Sequence, residues 1–288
     1  MRILSALLLL LAICPPPALA WSKTGHQLVC GLAEAQLSPT ARRWLASTLA
    51  LGDFAGANTA DSFAAACVWP DAAKYSSHKG TYEQHYINIA ASAKDIDLSR
   101  DCPAMDCLAT GLRRNLVYLA EDAQGKREGA RKAAALGFLG HFMADLHQPL
   151  HVSHSEDWGG NKIAVKWPAG NTNLHSLWDQ GLLETAGLEY PASLSELARM
   201  PRQIDNSVAL MPWLRESYQL ALTVAYVHSN GRPIRSGDNI EKAYIHRATP
   251  IVTTQLNKAA GRLANLLEQL ANGSLNLNGI ATQVFAPE

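Results

Sequence analysis

Five of the ten histidines in this 288-residue sequence, His141, His147, His151, His154 and His175, crowd into one 35-residue window. An even spread would place about one there. In His141-Phe142-Met143-Ala144-Asp145 and again in His175-Ser176-Leu177-Trp178-Asp179, a histidine and an aspartate stand four apart, on one face of a helix among apolar neighbours. One such pair is ordinarily a buried hydrogen bond. Two pairs, with His151 just past the Pro149 that ends the first helix, form a ligand set, because neutral imidazole and carboxylate are donors that zinc takes. Asp71 in Val68-Trp69-Pro70-Asp71 and His85 in Glu83-Gln84-His85-Tyr86 extend that set without a thiolate. His147 follows His141 by six positions, about 240° around a helix, and is assigned to packing or to support of the ligands. His78, His154, His228 and His246 read as ordinary surface or helix histidines.

The N-terminus adds one more donor. Met1-Arg2, the largely apolar run Ile3 to Ile13 and the small-residue pattern Ala18-Leu19-Ala20 predict a signal peptide over residues 1–20, cut between Ala20 and Trp21. That run is too short to span a bilayer, so a secreted or periplasmic protein without stable membrane association is expected. Cleavage would give Trp21 a free α-amine with a pKa near ~7.7–8, which a cation deprotonates readily, and its carbonyl could close a chelate ring. His26 lies one turn further on.

The elements that must hold these residues are mainly helices. Ser38-Pro39 supplies a cap and a first-turn proline before Thr40 to Leu51, and helical periodicity runs through Leu108 to Leu119 and Ala133 to Leu146. Ile204 to Val227 and Ile240 to Leu270 read as long helices, the second interrupted by Pro250. Lys162 to Trp167 alternates polar and apolar after Gly159-Gly160-Asn161 and predicts a small β-hairpin. Residues 52–105 and 153–172 read as loop-rich. The expectation is an all-α fold, one helical domain over residues 21–288 carrying a small hairpin.

Composition narrows the function further. The chain has 25 basic and 25 acidic residues, 48% hydrophobic, which excludes disorder, collagen-like repetition and a polybasic nucleic-acid tail. An anionic substrate must therefore be drawn by local charge, such as a bound cation, and not by the global field. Loss of Cys14 with the leader leaves four cysteines, an even number that reads in an exported chain as two disulfides among three connectivities. The expected pairs are Cys30–Cys67 and Cys102–Cys107, the latter closing a tight loop around Pro103. A zinc-thiolate site is not expected, because no Cys-x₂₋₄-Cys pair is followed by a second.

These motifs together resemble the ordered signature of the trinuclear-zinc, single-strand-preferring nucleases, the nuclease S1/P1 type that includes plant bifunctional nucleases and shares a fold with phospholipase C. The resemblance is carried by Trp21 with His26, Trp69-Pro70-Asp71 with Lys74, His85-Tyr86-Ile87-Asn88, the run His141 to His151, Gly159-Gly160-Asn161, and Asn173 to Asp179. It covers residues 21 to about 180, with a compatible helical remainder. The resemblance implies three Zn²⁺. One would sit on Asp71, His85, His141 and Asp145, a second on His151, His175 and Asp179, and a third on the Trp21 amine and carbonyl, His26 and Asp145. Asp145 would thus bridge two ions. It further implies in-line cleavage of single-stranded DNA and RNA to 5′-phosphorylated products, with Asp71, Lys74 and Asp145 in the catalytic set, Lys74 stabilising phosphoryl charge, and Tyr86 and Asn88 holding a base. Nucleotides are further expected ligands, a 3′-nucleotidase activity stays open, and a monomer is expected. Two rivals are kept. A zinc phospholipase C fits less well, because it carries Glu where Asp179 stands and has more residues between its N-terminal Trp and first His. An exported zinc-sequestering protein would carry the same ligands without turnover.

Overall fold

Apolar residues on every side of the segment before His147 leave the helix Gly129–Leu146 no solvent-facing stripe beyond its first turn. In the computed structural model it accordingly runs through the middle of the protein, with every residue from 135 to 146 buried. Helices Lys23–Ala35, Pro39–Leu49, Leu108–Ala120 and Lys242–Ala271 pack around it and bury their own apolar faces. The structure describes residues 21–52, 54, 62–121, 129–201, 208 and 210–276. The expected leader, the expected start of a helix at Ile204 and the last residues of the expected domain lie outside them. Among the described residues, no helix is long and apolar enough to cross a membrane.

The predicted helices are present with local adjustments. The Ser38 hydroxyl accepts a hydrogen bond from the Ala41 amide (3.2 Å) and Pro39 occupies the first turn, as the cap reading requires. The segment read as Ile204 to Val227 is seen as Leu210–Leu220 followed by a π-helical turn, Ala221–Ala225. The break expected at Pro250 is absent. Lys242–Ala271 is one helix of 30 residues, since a proline removes a single backbone bond while Ala248, Val252 and Leu256 stay buried across that point.

The region 52–105, expected to be loop, contains the single-turn helices Phe63–Ala66, Trp69–Ala73 and Leu98–Asp101 and a 3₁₀ segment, Lys79–His85. Each is too short to show helical periodicity in sequence. The hairpin forms between Ala164–Trp167 and Gly170–Asn173, and Asp238–Asn239 adds a parallel third strand. A second pairing was not foreseen: Ile87–Ile89 lies parallel to Val152–His154, with Ile87 opposite Val152, so this stretch of 153–172 is also not simple loop. This pairing draws His85 and His151 together.

Both expected disulfides are formed, Cys30–Cys67 and Cys102–Cys107. The first crosses the central helix at Gly140, where an added Cβ would lie only 2.3 Å from Cys67 Sγ. It thereby ties the helical turn after His26 to the turn before Asp71, beside His141.

A candidate metal centre of histidine and aspartate

Seven elements deliver the predicted ligands to one place. His26 comes from the N-terminal helix, Asp71 from Trp69–Ala73, His85 from the end of Lys79–His85, and His141 and Asp145 from the central helix. His151 ends the 3₁₀ turn Pro149–His151. Asn173, the last residue of the hairpin, caps the following turn by accepting from the Ser176 amide (2.7 Å), which aims His175 inward. Asp179 then lies in a π-helical turn, Leu177–Gly181, a local widening often associated with functional sites.

Asp145 is the hub. Its carboxylate oxygens lie 3.5 Å from His26 Nε2, 3.2 Å from His85 Nδ1, 3.2 Å from His141 Nε2 and 3.4 Å from His151 Nδ1. Asp71 is 3.6 Å from His141 Nε2 and 3.8 Å from His85 Nδ1. Asp179 is 3.2 Å from His175 Nε2 and 3.6 Å from His151 Nε2. Donors about 2.0–2.2 Å from one tetrahedral ion stand ~3.3–3.6 Å apart, close to these separations, which suit shared cations except at His151 Nδ1, a nitrogen bonded to the His85 carbonyl. Three groups have ligand atoms that all lie within 4.8 Å of one another: His26, His141 and Asp145; Asp71, His85 and His141; and His151, His175 and Asp179. His26 stacks on His141 at 3.8 Å, which places their groups side by side.

The chemistry of the donors supports the same fit. His26 Nδ1 and Nε2, His85 Nε2, both oxygens of Asp145, His151 Nε2 and Asp179 Oδ2 are buried without a hydrogen-bond partner in the protein. Buried polar atoms left unpaired cost roughly 1–3 kcal/mol each, and their concentration on the predicted ligands points to a compensating ligand. Meanwhile the outer nitrogens are fixed by backbone carbonyls. His141 Nδ1 bonds Cys67 O (2.7 Å), His151 Nδ1 bonds His85 O (2.9 Å) and His175 Nδ1 bonds Gly159 O (2.7 Å). These contacts set each tautomer and leave Nε2 as the inward-facing donor.

Burial and charge act against each other here. Burial alone would raise the carboxylate of Asp145, but His141 and His151 hold it well below the usual range. For Asp179 burial is likewise outweighed, by His175 and then His151, leaving its pKa at about 2. Burial pulls His26 down to about 3 and His85 to about 4. His151 moves the other way, to about 9, because Asp145 and Asp179 overcome its desolvation. Ionised carboxylates lie beside His26 and His85, which burial keeps neutral, and the carboxylates that favour a proton on His141 and His151 would favour a metal cation in its place.

Around this centre the remaining predicted residues occupy distinct places. Trp21 is fully buried, its indole donating to the Ala144 carbonyl (2.9 Å), while the Ser22 amide donates to the Asp179 carbonyl (3.0 Å). Trp21 is therefore packed into the fold beside the centre. Lys74 is also buried and donates to Asp71 (2.7 Å); that partner outweighs desolvation and raises its pKa, so its charge is fixed. Tyr86 is half-buried with its hydroxyl on Glu83 (2.5 Å), and Asn88, also half-buried, lies opposite Ser153. A surface depression of about 720 Å³ beside Trp167 and Lys242 shares no residue with the centre.

One support, Gln148, is not singled out by sequence. Gln148 is fully buried, donating to Asp179 Oδ1 (2.6 Å) and accepting from the Leu150 amide (2.6 Å); only its place between two ligand motifs hints at this. His147 faces away, as its spacing predicts. Its Nδ1 donates to Met143 O (2.7 Å), and Nε2 accepts from Arg262, which also pairs with Glu216. One ordinary-histidine assignment is corrected: His228 is buried between Glu241 (2.7 Å) and Asp238 (3.0 Å), where it ties together a loop too irregular for periodicity to reveal.

Helical scaffold and centre together define a class, a helical protein with a buried multi-cation site built from histidine and aspartate. Comparison with known proteins makes the class specific. The S1/P1 Nuclease family model matches residues 21–272. Endonuclease 2 of Arabidopsis thaliana is 29% identical over 274 residues, covering 87% of this chain and 90% of the relative. Nuclease P1 of Penicillium citrinum is 25% identical, covering 87% of this chain and 97% of its own. Nuclease S1 of Aspergillus oryzae is 28% identical over 181 residues, 61% and 59% of the two chains. The chain belongs to the S1/P1 nuclease family, and it is a nuclease.

Proposed function

We propose that the protein is exported after cleavage between Ala20 and Trp21, and that its single domain, residues 21–288, is a monomeric zinc-dependent endonuclease. It hydrolyses phosphodiester bonds of single-stranded DNA and RNA to 5′-phosphorylated products, and the same centre serves 3′-phosphorylated nucleotides. The observation that carries this reading is the cluster of seven unpaired buried donor atoms around Asp145, His151 and Asp179 in a chain of this family. A set of imidazole nitrogens and carboxylate oxygens suits zinc, and the two disulfides suit an oxidising compartment outside the cytosol.

Three ions are assigned as follows: Asp71, His85, His141 and Asp145 hold one, His151, His175 and Asp179 another, and His26, Asp145 and the Trp21 amine and carbonyl the third. Zinc bound there supplies Lewis acidity, which lowers the pKa of water and draws charge from a phosphoryl group. The protein does the rest. Asp145 keeps two sets of donors in register, and the carbonyls on His141, His151 and His175 stop the rings from turning. Lys74, fixed by Asp71, offers a charge that need not reorganise when negative charge grows on phosphoryl oxygens. Tyr86 offers a ring face to an unpaired base and Asn88 an amide that can both donate and accept at its edge.

The test gives mature protein single-stranded DNA, RNA, a 3′-nucleotide and phosphatidylcholine, with and without chelator, and identifies the products. Chelator-sensitive 5′-phosphorylated fragments are expected. Cleavage of phosphatidylcholine alone, or zinc binding without any turnover, would overturn the proposal.

A further inference from the structure

His85 stands where the 3₁₀ segment Lys79–His85 ends and the extended backbone of Tyr86 begins. Regular backbone bonding changes there, so contacts from outside must set the direction of its ring. One loop supplies them. The disulfide between Cys102 and Cys107 closes a small covalent ring, within which Ala104 and Met105 both have left-handed backbones, φ +53° and +54°. Neither is a glycine, and such strain persists only where the surroundings impose it. From this ring the chain is gripped on both sides of His85. The buried Gln84 donates from Nε2 to Asp106 Oδ1 (2.7 Å), and the Leu108 amide, next to Cys107, donates to the Tyr86 carbonyl (3.0 Å).

Packing closes the remaining freedom. Helix Leu108–Ala120 meets Gln84 at Gly111, where an added Cβ would come 2.8 Å from Gln84 Cβ and 3.1 Å from the Phe142 ring. Phe142 in turn meets the His85 ring edge to face, with centroids 5.1 Å apart. His85 also passes its position on. Its carbonyl accepts from His151 Nδ1 (2.9 Å), so the backbone held by the ring aims a histidine in each of two ligand groups.

We propose that Asp106 and Gln84 are positioning residues for the metal centre: their hydrogen bond, framed by the Cys102–Cys107 ring, clamps the His85 backbone, and through it His151, in the geometry that binds cations. Neither belongs to the ligand set. On the zinc reading, on which this clamp rests, the pair sets zinc affinity from outside the ligands.

The experiment compares parent, Asp106→Ala, Asp106→Asn, Gln84→Glu and the double variant Gln84→Glu with Asp106→Asn. A graded competing chelator withdraws zinc from each, anomalous peak heights in crystals locate the ion that leaves first, and melting of the metal-free protein reports fold stability by itself. Asp106→Ala should weaken the ion on Asp71, His85, His141 and Asp145 ~10–100-fold and the ion on His151, His175 and Asp179 by less, with the third unmoved. Asp106→Asn loses the ion pair with Arg114 (3.7 Å) but keeps an accepting oxygen, so it should hold zinc as the parent does. Gln84→Glu sets two carboxylates face to face and should bind that first ion most weakly. Adding Asp106→Asn, whose amide can donate to the introduced carboxylate, should restore it, a recovery that two independent losses of stability would not give. Unchanged zinc affinity in Asp106→Ala, a loss in Asp106→Asn as large as in Asp106→Ala, no recovery in the double variant, or zinc loss that merely follows the metal-free melting temperature would overturn the proposal. If the parent binds zinc but cleaves no nucleic acid, the nuclease reading fails alone, because the titration reads the clamp without turnover. A parent that takes up no zinc overturns the zinc reading and the clamp with it.

Discussion

Replacing Gln148 tests whether the support of the centre is understood. Its amide sits between Asp179 Oδ1 and the Leu150 N–H, 2.6 Å from each, and is fully buried. Gln148→Leu keeps the volume but strips one donor from a carboxylate and one acceptor from a backbone amide. Each lost partner should cost roughly 1–3 kcal/mol, and outer partners of metal ligands typically change affinity ~10–100-fold. The loss should fall on the ion held by His151, His175 and Asp179, since Gln148 touches neither Asp71 nor His26. In a competitive chelator titration of the zinc-loaded protein, one of three zinc ions should leave at ~10–100-fold lower chelator strength than in the parent, with the others unmoved. Activity should fall with that ion and return in excess zinc. Three ions held as tightly as in the parent, or all three lost together, would refute the reasoning.

Further outcomes follow from other contacts. Asp145→Asn should lose two zinc ions and nearly all activity, whereas His147→Ala should keep its zinc and much of its rate at low temperature while melting earlier, because Arg262 loses its buried acceptor; metal analysis and calorimetry read both. A protein retaining an added methionine before Trp21 should fold, hold roughly two zinc ions and cleave weakly, because an amide nitrogen is not basic; removing the methionine should restore the third ion and the rate together. Burial would raise Glu216, but Lys258 and Arg262 hold it below the ordinary carboxylate value, so its stabilisation is present above about pH 4.5 and fades as pH falls through its folded pKa. Glu216→Gln should therefore lower the melting temperature at neutral pH, with the deficit shrinking in acid.

Much of the fold and centre was legible because its signals are local. The His-x₃-Asp spacings, the Ser38-Pro39 cap, the hairpin after Asn161 and the four cysteines at 30, 67, 102 and 107 each depend on few neighbours. The parallel pairing of Ile87–Ile89 with Val152–His154 was not legible, since three-residue strands more than sixty positions apart carry no pattern that marks them as partners. Pro250 misled because the rule for proline concerns one lost bond, while the buried face around it sets the outcome. Gln148 and His228 act through side-chain contacts that only the assembled fold creates.

The most direct test of the centre is anomalous scattering at the zinc absorption edge from crystals of the mature, active protein. Three peaks are predicted, one ringed by Asp71, His85, His141 and Asp145, one by His151, His175 and Asp179, and one by His26, Asp145 and the Trp21 terminus. A single peak, or peaks away from Asp145 and Asp179, would contradict the account.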